Sequence, residues 1–303
     1  MRTSVHPFMR FSGIVCAAVL VSMSAAKLGA QGGKAAQAAA RPSDAPARST
    51  ALKDFTGYWV SVVTEDWRWR MVVPDQGDYV TIPLNADGRK VANAWDPAKD
   101  QASGNQCKGY GAAAIMDVPG RLHIYWQDTN TLRIDTDSGT QTRLLHFAGS
   151  ATESKVTESK APDWQGYSAA HWGDDEPIIQ RIAGGGPLGQ GGPEYEADVA
   201  GGFDGTQVER EAPKPPTRSY LHVTTTHMRP GYLHKNGVPY GANARLDEYF
   251  NSFSYGGTTW LFVTSVVTDP QYLMEQYITH SHFKKLPDNS GWDPTPCNAD
   301  EPR

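Results

Sequence analysis

The sequence predicts an all-β protein, an antiparallel meander closing into a barrel of about 8–10 strands. Three observations lead there. Short segments rich in β-branched and aromatic residues recur between positions 121 and 283, turn residues separate them, and a helical period survives over one short stretch. Strands at such intervals, joined by hairpins, close most simply on themselves, which removes both exposed edges.

Taken in order, Arg2 and Arg10 precede the apolar run 11–26, and small residues follow at Gly29 and Ala30. This is the layout of a secretory signal peptide over residues 1–30, since the run is shorter than the ~20 residues a spanning helix needs. Residues 31–53 are Ala, Gly, Pro, Gln and Ser with few large apolar side chains, and read as a disordered leader. One barrel domain follows over 54–297, with a short tail at 298–303. The expected location is periplasmic or secreted, without a membrane span once the signal is removed.

The barrel is expected to open on FTGYWVSVVTEDWRWRM, residues 55–71, which holds three of the nine tryptophans. If the strand continues, Trp67, Trp69 and Met71 share the lumen face and Arg68 and Arg70 share the other. The inverted arrangement, arginines inward to hold an acidic ligand, would bury guanidinium groups at a cost. Glu65 and Asp66 are a candidate break in that strand. The one helix expected covers 87–95 and is halted by Pro97.

The meander is clearest at RLHIYWQ (121–127), TLRIDT (131–136) and TQTRLLHF (140–147), bounded by Pro119-Gly120, Asp128-Thr-Asn130 and Asp137-Ser-Gly139. Alternation points Leu122, Ile124, Trp126, Leu132 and Ile134 inward. Residues 164–172 and 219–227 read as two hairpin arms joined by a long flexible insertion, 174–217, in which Gly and Pro make up fifteen of 44 residues. Leu221, Val223, Thr225 and His227 share a face, which would bring His227 to one mouth. Residues 245–253 and 258–267 form the next pair and 277–283 the last strand. Trp260-Leu-Phe-Val is apolar on both faces, so it is expected to be covered on both sides or to lie beneath the helix. Between strands, 228–240 is either a lid over the mouth, using Arg229, Tyr232, His234 and Tyr240, or a packed connection.

Without the signal, 25 basic residues face 33 acidic ones, a balance that argues against nucleic acid as partner. Cys107 and Cys297 remain; in an oxidising compartment they read as one disulfide, with two free thiols as the alternative. No cofactor motif is present: the Gly-rich run at 184–189 lacks the following Lys-Ser or Lys-Thr of a phosphate loop. His280 and His282 point to one side of a strand, as in metal pairs, but two ligands do not complete a zinc site, so no metal is expected.

Gly57-Tyr58-Trp59 resembles the Gly-x-Trp with which lipocalin-type barrels begin. Together with Pro-Leu-Asn-Ala-Asp-Gly-Arg, Gln-Cys, Trp-Gln-Gly-Tyr-Ser and the closing Pro-Thr-Pro-Cys, it resembles secreted bacterial proteins with a lipocalin-like (calycin-type) barrel. The resemblance implies a fold and an exported location, and carries over no catalytic residue. The function expected is binding of a small apolar or aromatic molecule in the lumen, with Trp67, Trp69, Trp126, His227, Arg229 and Tyr232 as contacts. Two alternatives stay open. One is an enzyme of lyase, isomerase or hydrolase type using the same cavity, with His146, His227 and Arg143 as acid–base candidates. The other is a carbohydrate-binding sandwich. Clustered polar groups, especially His with Asp or Arg, would favour catalysis.

Overall fold

The computed structural model describes residues 46–147, 161–173 and 219–301. The proposed signal peptide, most of the leader and the Gly/Pro-rich insertion lie outside them. Among the described residues eleven strands are formed: β1 (Gly57–Ser61), β2 (Arg121–Trp126), β3 (Thr131–Thr136), β4 (Thr142–Phe147), β5 (Tyr167–Gly173), β6 (Tyr220–Thr226), β7 (Gly231–His234), β8 (Val238–Tyr240), β9 (Arg245–Tyr255), β10 (Thr258–Thr268) and β11 (Tyr277–Leu286). Nine of them close a barrel in the order β1-β11-β10-β9-β6-β5-β4-β3-β2, and β7 and β8 form a separate hairpin.

The barrel departs from a plain meander in two places. β4 and β5 pair in parallel, with Leu145 opposite Ser168, a relation that a tight hairpin cannot produce. β6 pairs with β9, so the chain leaves the wall between them to make β7 and β8. The remaining expected pairs form, including β5 with β6 from Tyr167↔Thr226 to Gly173↔Tyr220.

Side-chain alternation is obeyed inside the wall. Leu122, Ile124, Ile134, Leu145, Leu221, Val223, Phe250, Val263 and Phe283 point inward and are buried together. Trp59 belongs to the same cluster, is 0% exposed, and donates its ring N–H to the Phe55 carbonyl at 2.9 Å. Phe55 in turn stacks on Trp172. Side chains therefore fill the lumen at this end. A second cluster joins the inward ends of β9 to β11, at Leu246, Val267 and Tyr277, to Leu233, Val238 and Tyr240 of the β7–β8 excursion and to Ile82, Leu84 and Ala92. The excursion is thus a packed cap on the other mouth. Asn236-Gly237 turns its hairpin, with Gly237 at φ +85°, a backbone region that glycine enters without strain.

Midway along the lumen sits a fully buried ion pair. Arg143 on β4 donates Nη1 to Glu248 Oε1 on β9 at 2.9 Å and Nη2 to the other carboxylate oxygen. Nη2 also reaches Thr225, whose hydroxyl meets that of Ser168. Partnering on this scale is what makes a buried charge tolerable.

Among the described residues four short α-helices occur where one was expected: α1 (Trp67–Arg70), α2 (Ala86–Asn93), α3 (Pro97–Ala102) and α4 (Ala112–Ile115). The expected helix is α2, opened by Asn85, whose side chain accepts from the Gly88 N–H at 2.9 Å. It does not cover β10. A Cβ at Gly88 would lie 2.5 Å from the Tyr272 carbonyl oxygen, so the helix seats closely on the chain between β10 and β11. On the outer side of β10, Phe262 stacks on Phe253.

The expected strand through Trp67 and Trp69 is α1 instead. Asp66 adopts φ 51°, which breaks the extended run, and its carbonyl accepts from the N–H groups of Trp69 and Arg70. In a helix, residues two apart no longer share a face. Trp67 is left 63% exposed while Arg70 is buried. Among the described residues no helix is long and apolar enough to cross a membrane.

Candidate functional site

At the capped mouth, α1 and the extended turn 72–74 face β7 and the chain at 114–119 across a crevice. Trp69, Val118 and Leu233 supply apolar wall, and Arg70, His234 and Lys235 supply polar groups. Its volume is about 30 Å³, room for a water or two or one small polar group.

Arg70 is placed by α1. Its Nε donates to the Asp117 carbonyl at 2.8 Å. Its Nη2 is sealed from solvent and, among the described residues, has no acceptor. His234, at the end of β7, meets the Tyr277 hydroxyl through Nε2 at 2.9 Å, and its Nδ1 is likewise buried without a partner among the described residues. Burial pushes the His234 imidazole below its ordinary value against the raising pull of Asp117, Asp66 and Asp78, and burial pushes the Tyr277 phenol well above its own. The pair is therefore neutral around pH 7. The Tyr277 hydroxyl and His234 Nε2 share one hydrogen bond, whose direction is set by the ring tautomer. Arg70 and His234 thus line one crevice, each with a buried polar atom that has no partner among the described residues. Asp117 is already engaged, its Oδ1 accepting from Ser281 at 2.6 Å.

Lys235 completes the polar side. It is 9% exposed, donates to the Glu301 carbonyl at 2.7 Å and lies over the Tyr110 ring at 3.8 Å. Burial lowers its pKa to about 7, against the raising pull of Glu301. An amine titrating there changes charge near neutrality.

A larger groove of about 540 Å³ runs between α2, α3 and β7. Asp100 on its wall accepts from the Tyr232 hydroxyl at 2.7 Å and from Lys108 at 2.6 Å. Burial, then the bond to Asp100, raises the Tyr232 phenol well above its ordinary value. These groups satisfy one another, so the groove has room but spends its polar atoms internally.

The residues proposed from sequence scatter. Trp69 lines the crevice and Tyr232 the groove. Trp67 is exposed on α1, and Trp126 packs on Phe147 at the end of the lumen filled by Trp59. His227 follows β6 at φ 57° and is exposed, not turned to the mouth, because the left-handed residue ends the alternation. Arg229 is exposed over the Trp164 ring. Of the acid–base candidates, His146 stacks on Tyr167 and Arg143 is spent in the lumen ion pair. His280 and His282 share the outer face of β11, bonded to Thr264 and Thr64. Among the described residues no three His, Cys, Asp or Glu side chains converge on a metal position. Cys107 and Cys297 are joined as a disulfide. Asp117 and Lys235 carry no sequence signal as contacts, and Arg70 enters only through the inverted arrangement with arginines inward. The signal available was the break at Glu65-Asp66, after which a helical reading separates Arg70 from Arg68. No protein-family model, no curated protein and no solved structure matches the chain.

Proposed function

We propose that the protein is an exported small-molecule binder whose ligand is anchored by an anionic group, most simply a carboxylate, in the crevice at the capped mouth. The ligand's apolar remainder lies along Trp69, Val118 and Leu233. One observation carries this reading: Arg70 and His234 line the same crevice, and each holds a buried polar atom, Nη2 and Nδ1, with no partner among the described residues. A buried guanidinium N–H without an acceptor costs free energy that an incoming oxyanion offsets. Binding in the lumen is less well supported, because inward side chains from Trp59 to Phe283 occupy it. The disulfide fits an oxidising compartment and supports export.

A second reading, acid–base catalysis in the same crevice, is favoured by the His234–Tyr277 hydrogen bond beside Lys235, whose pKa of about 7 suits proton transfer. Native mass spectrometry of protein purified from its own host tests the binder. The wild type should carry a small acidic adduct and Arg70→Gln should lose it, whereas an apo mass for the wild type, or an unchanged adduct on Arg70→Gln, refutes the reading.

A further inference from the structure

On the outer face of β5, β6 and β9, His171 and His222 stand directly opposite each other across the β5–β6 pair. His222 Nδ1 and His171 Nε2 are 3.2 Å apart, and the rings cross at 81°. Two donors bound ~2.0–2.1 Å from one zinc-like ion are themselves ~3.0–3.4 Å apart. The other nitrogen of His222 meets Asp247 Oδ1 at 3.0 Å. Asp247 also accepts from Thr224 at 2.7 Å and from both Nε and Nη2 of Arg245. The His222 ring is further fixed by stacking on Tyr249 at 4.6 Å. A carboxylate taking the N–H of one imidazole nitrogen leaves the other with its lone pair for a metal, the arrangement that orients metal-bound histidines generally.

We propose that His171 Nε2 and His222 Nδ1 chelate a divalent transition-metal ion at the protein surface, with Asp247 positioning His222 and water filling the remaining coordination sites. In the metal-free protein the two nitrogens share a proton, which metal binding displaces to solvent. Two imidazoles with open positions favour Cu²⁺ over Zn²⁺. The cationic Arg245 is neutralised by its two bonds to Asp247. His171 is exposed and His222 is buried behind it, so an ion approaches the pair from the His171 side. His280 and His282 offer no such pair, because each ring is turned to a separate threonine hydroxyl.

The test uses the full chain, stripped of metal with a chelator and titrated with Cu²⁺ and with Zn²⁺ by calorimetry. One ion per chain should bind at micromolar concentration. His171→Ala, at an exposed position, should weaken binding at least about tenfold, with folding checked by circular dichroism. Asp247→Asn should weaken it ~10–100-fold, and the double variant His280→Ala/His282→Ala should bind like the wild type. A wild type that takes up neither ion, or a folded His171→Ala that binds as the wild type does, overturns the proposal.

Discussion

Lys235 should make the stability of this protein depend on pH around neutrality. The unfolded chain holds its amine near the ordinary value of 10.5, and burial brings the folded value to about 7. Between those values the unfolded state binds more protons than the folded state, so stability rises with pH from about 7 towards 10.5. Below about pH 7 both states carry the ammonium and the full cost of burying it is felt. Integrating between about pH 7 and pH 9, the wild type should gain about 2 kcal/mol of stability from this residue. Lys235→Met removes the titration while keeping most of the volume beside Tyr110 and Gly109, where the lysine stem packs. Urea unfolding of both proteins, disulfide intact, at the two pH values isolates the effect as a difference of differences, cancelling the other groups that titrate there. Equal pH dependence in wild type and Lys235→Met would refute the reasoning. It would mean that the Glu301 carbonyl and the Tyr110 ring hold the ammonium charged in the folded state.

Other consequences follow from burial. Arg143→Met leaves Glu248 charged and unpaired in the lumen and should cost about 3–5 kcal/mol, whereas Arg143→Met/Glu248→Leu should recover most of that, read from urea midpoints. Trp59→Ala empties a fully buried position and should cost about 3–5 kcal/mol by the same measurement, while Trp67→Ala, on exposed α1, should stay within about 0.5 kcal/mol. That contrast would fail if Trp67 packed into the lumen as a continuous strand requires.

How much of this was legible beforehand depended on the range of the signal. Leu122, Ile124, Leu132 and Ile134 alternate within single strands, and their inward placement follows from the pleat. The β9–β10 hairpin follows from two apolar runs flanking Tyr255-Gly-Gly257. At Trp67–Arg70 the same two-residue alternation misled, because Asp66 at φ 51° converted the segment to a helix. A period is informative only while the backbone keeps the conformation that generates it.

By itself the sequence determined the strands of the barrel wall, most of their partners, most of the inward set, and the pair of cysteines available for one link. These are encoded by neighbours two to a few tens of positions apart. Only the tertiary structure decided that β4 and β5 run parallel, that the 228–240 segment caps the mouth, and that Arg70, Asp117, His234 and Ser281 meet in one place. Those residues come from α1, a turn before β2, β7 and β11, more than two hundred positions end to end. No local propensity links them. Their convergence is a product of barrel closure, which brings β11 back beside β1, and of the β7–β8 cap packing on the ends of β9 to β11.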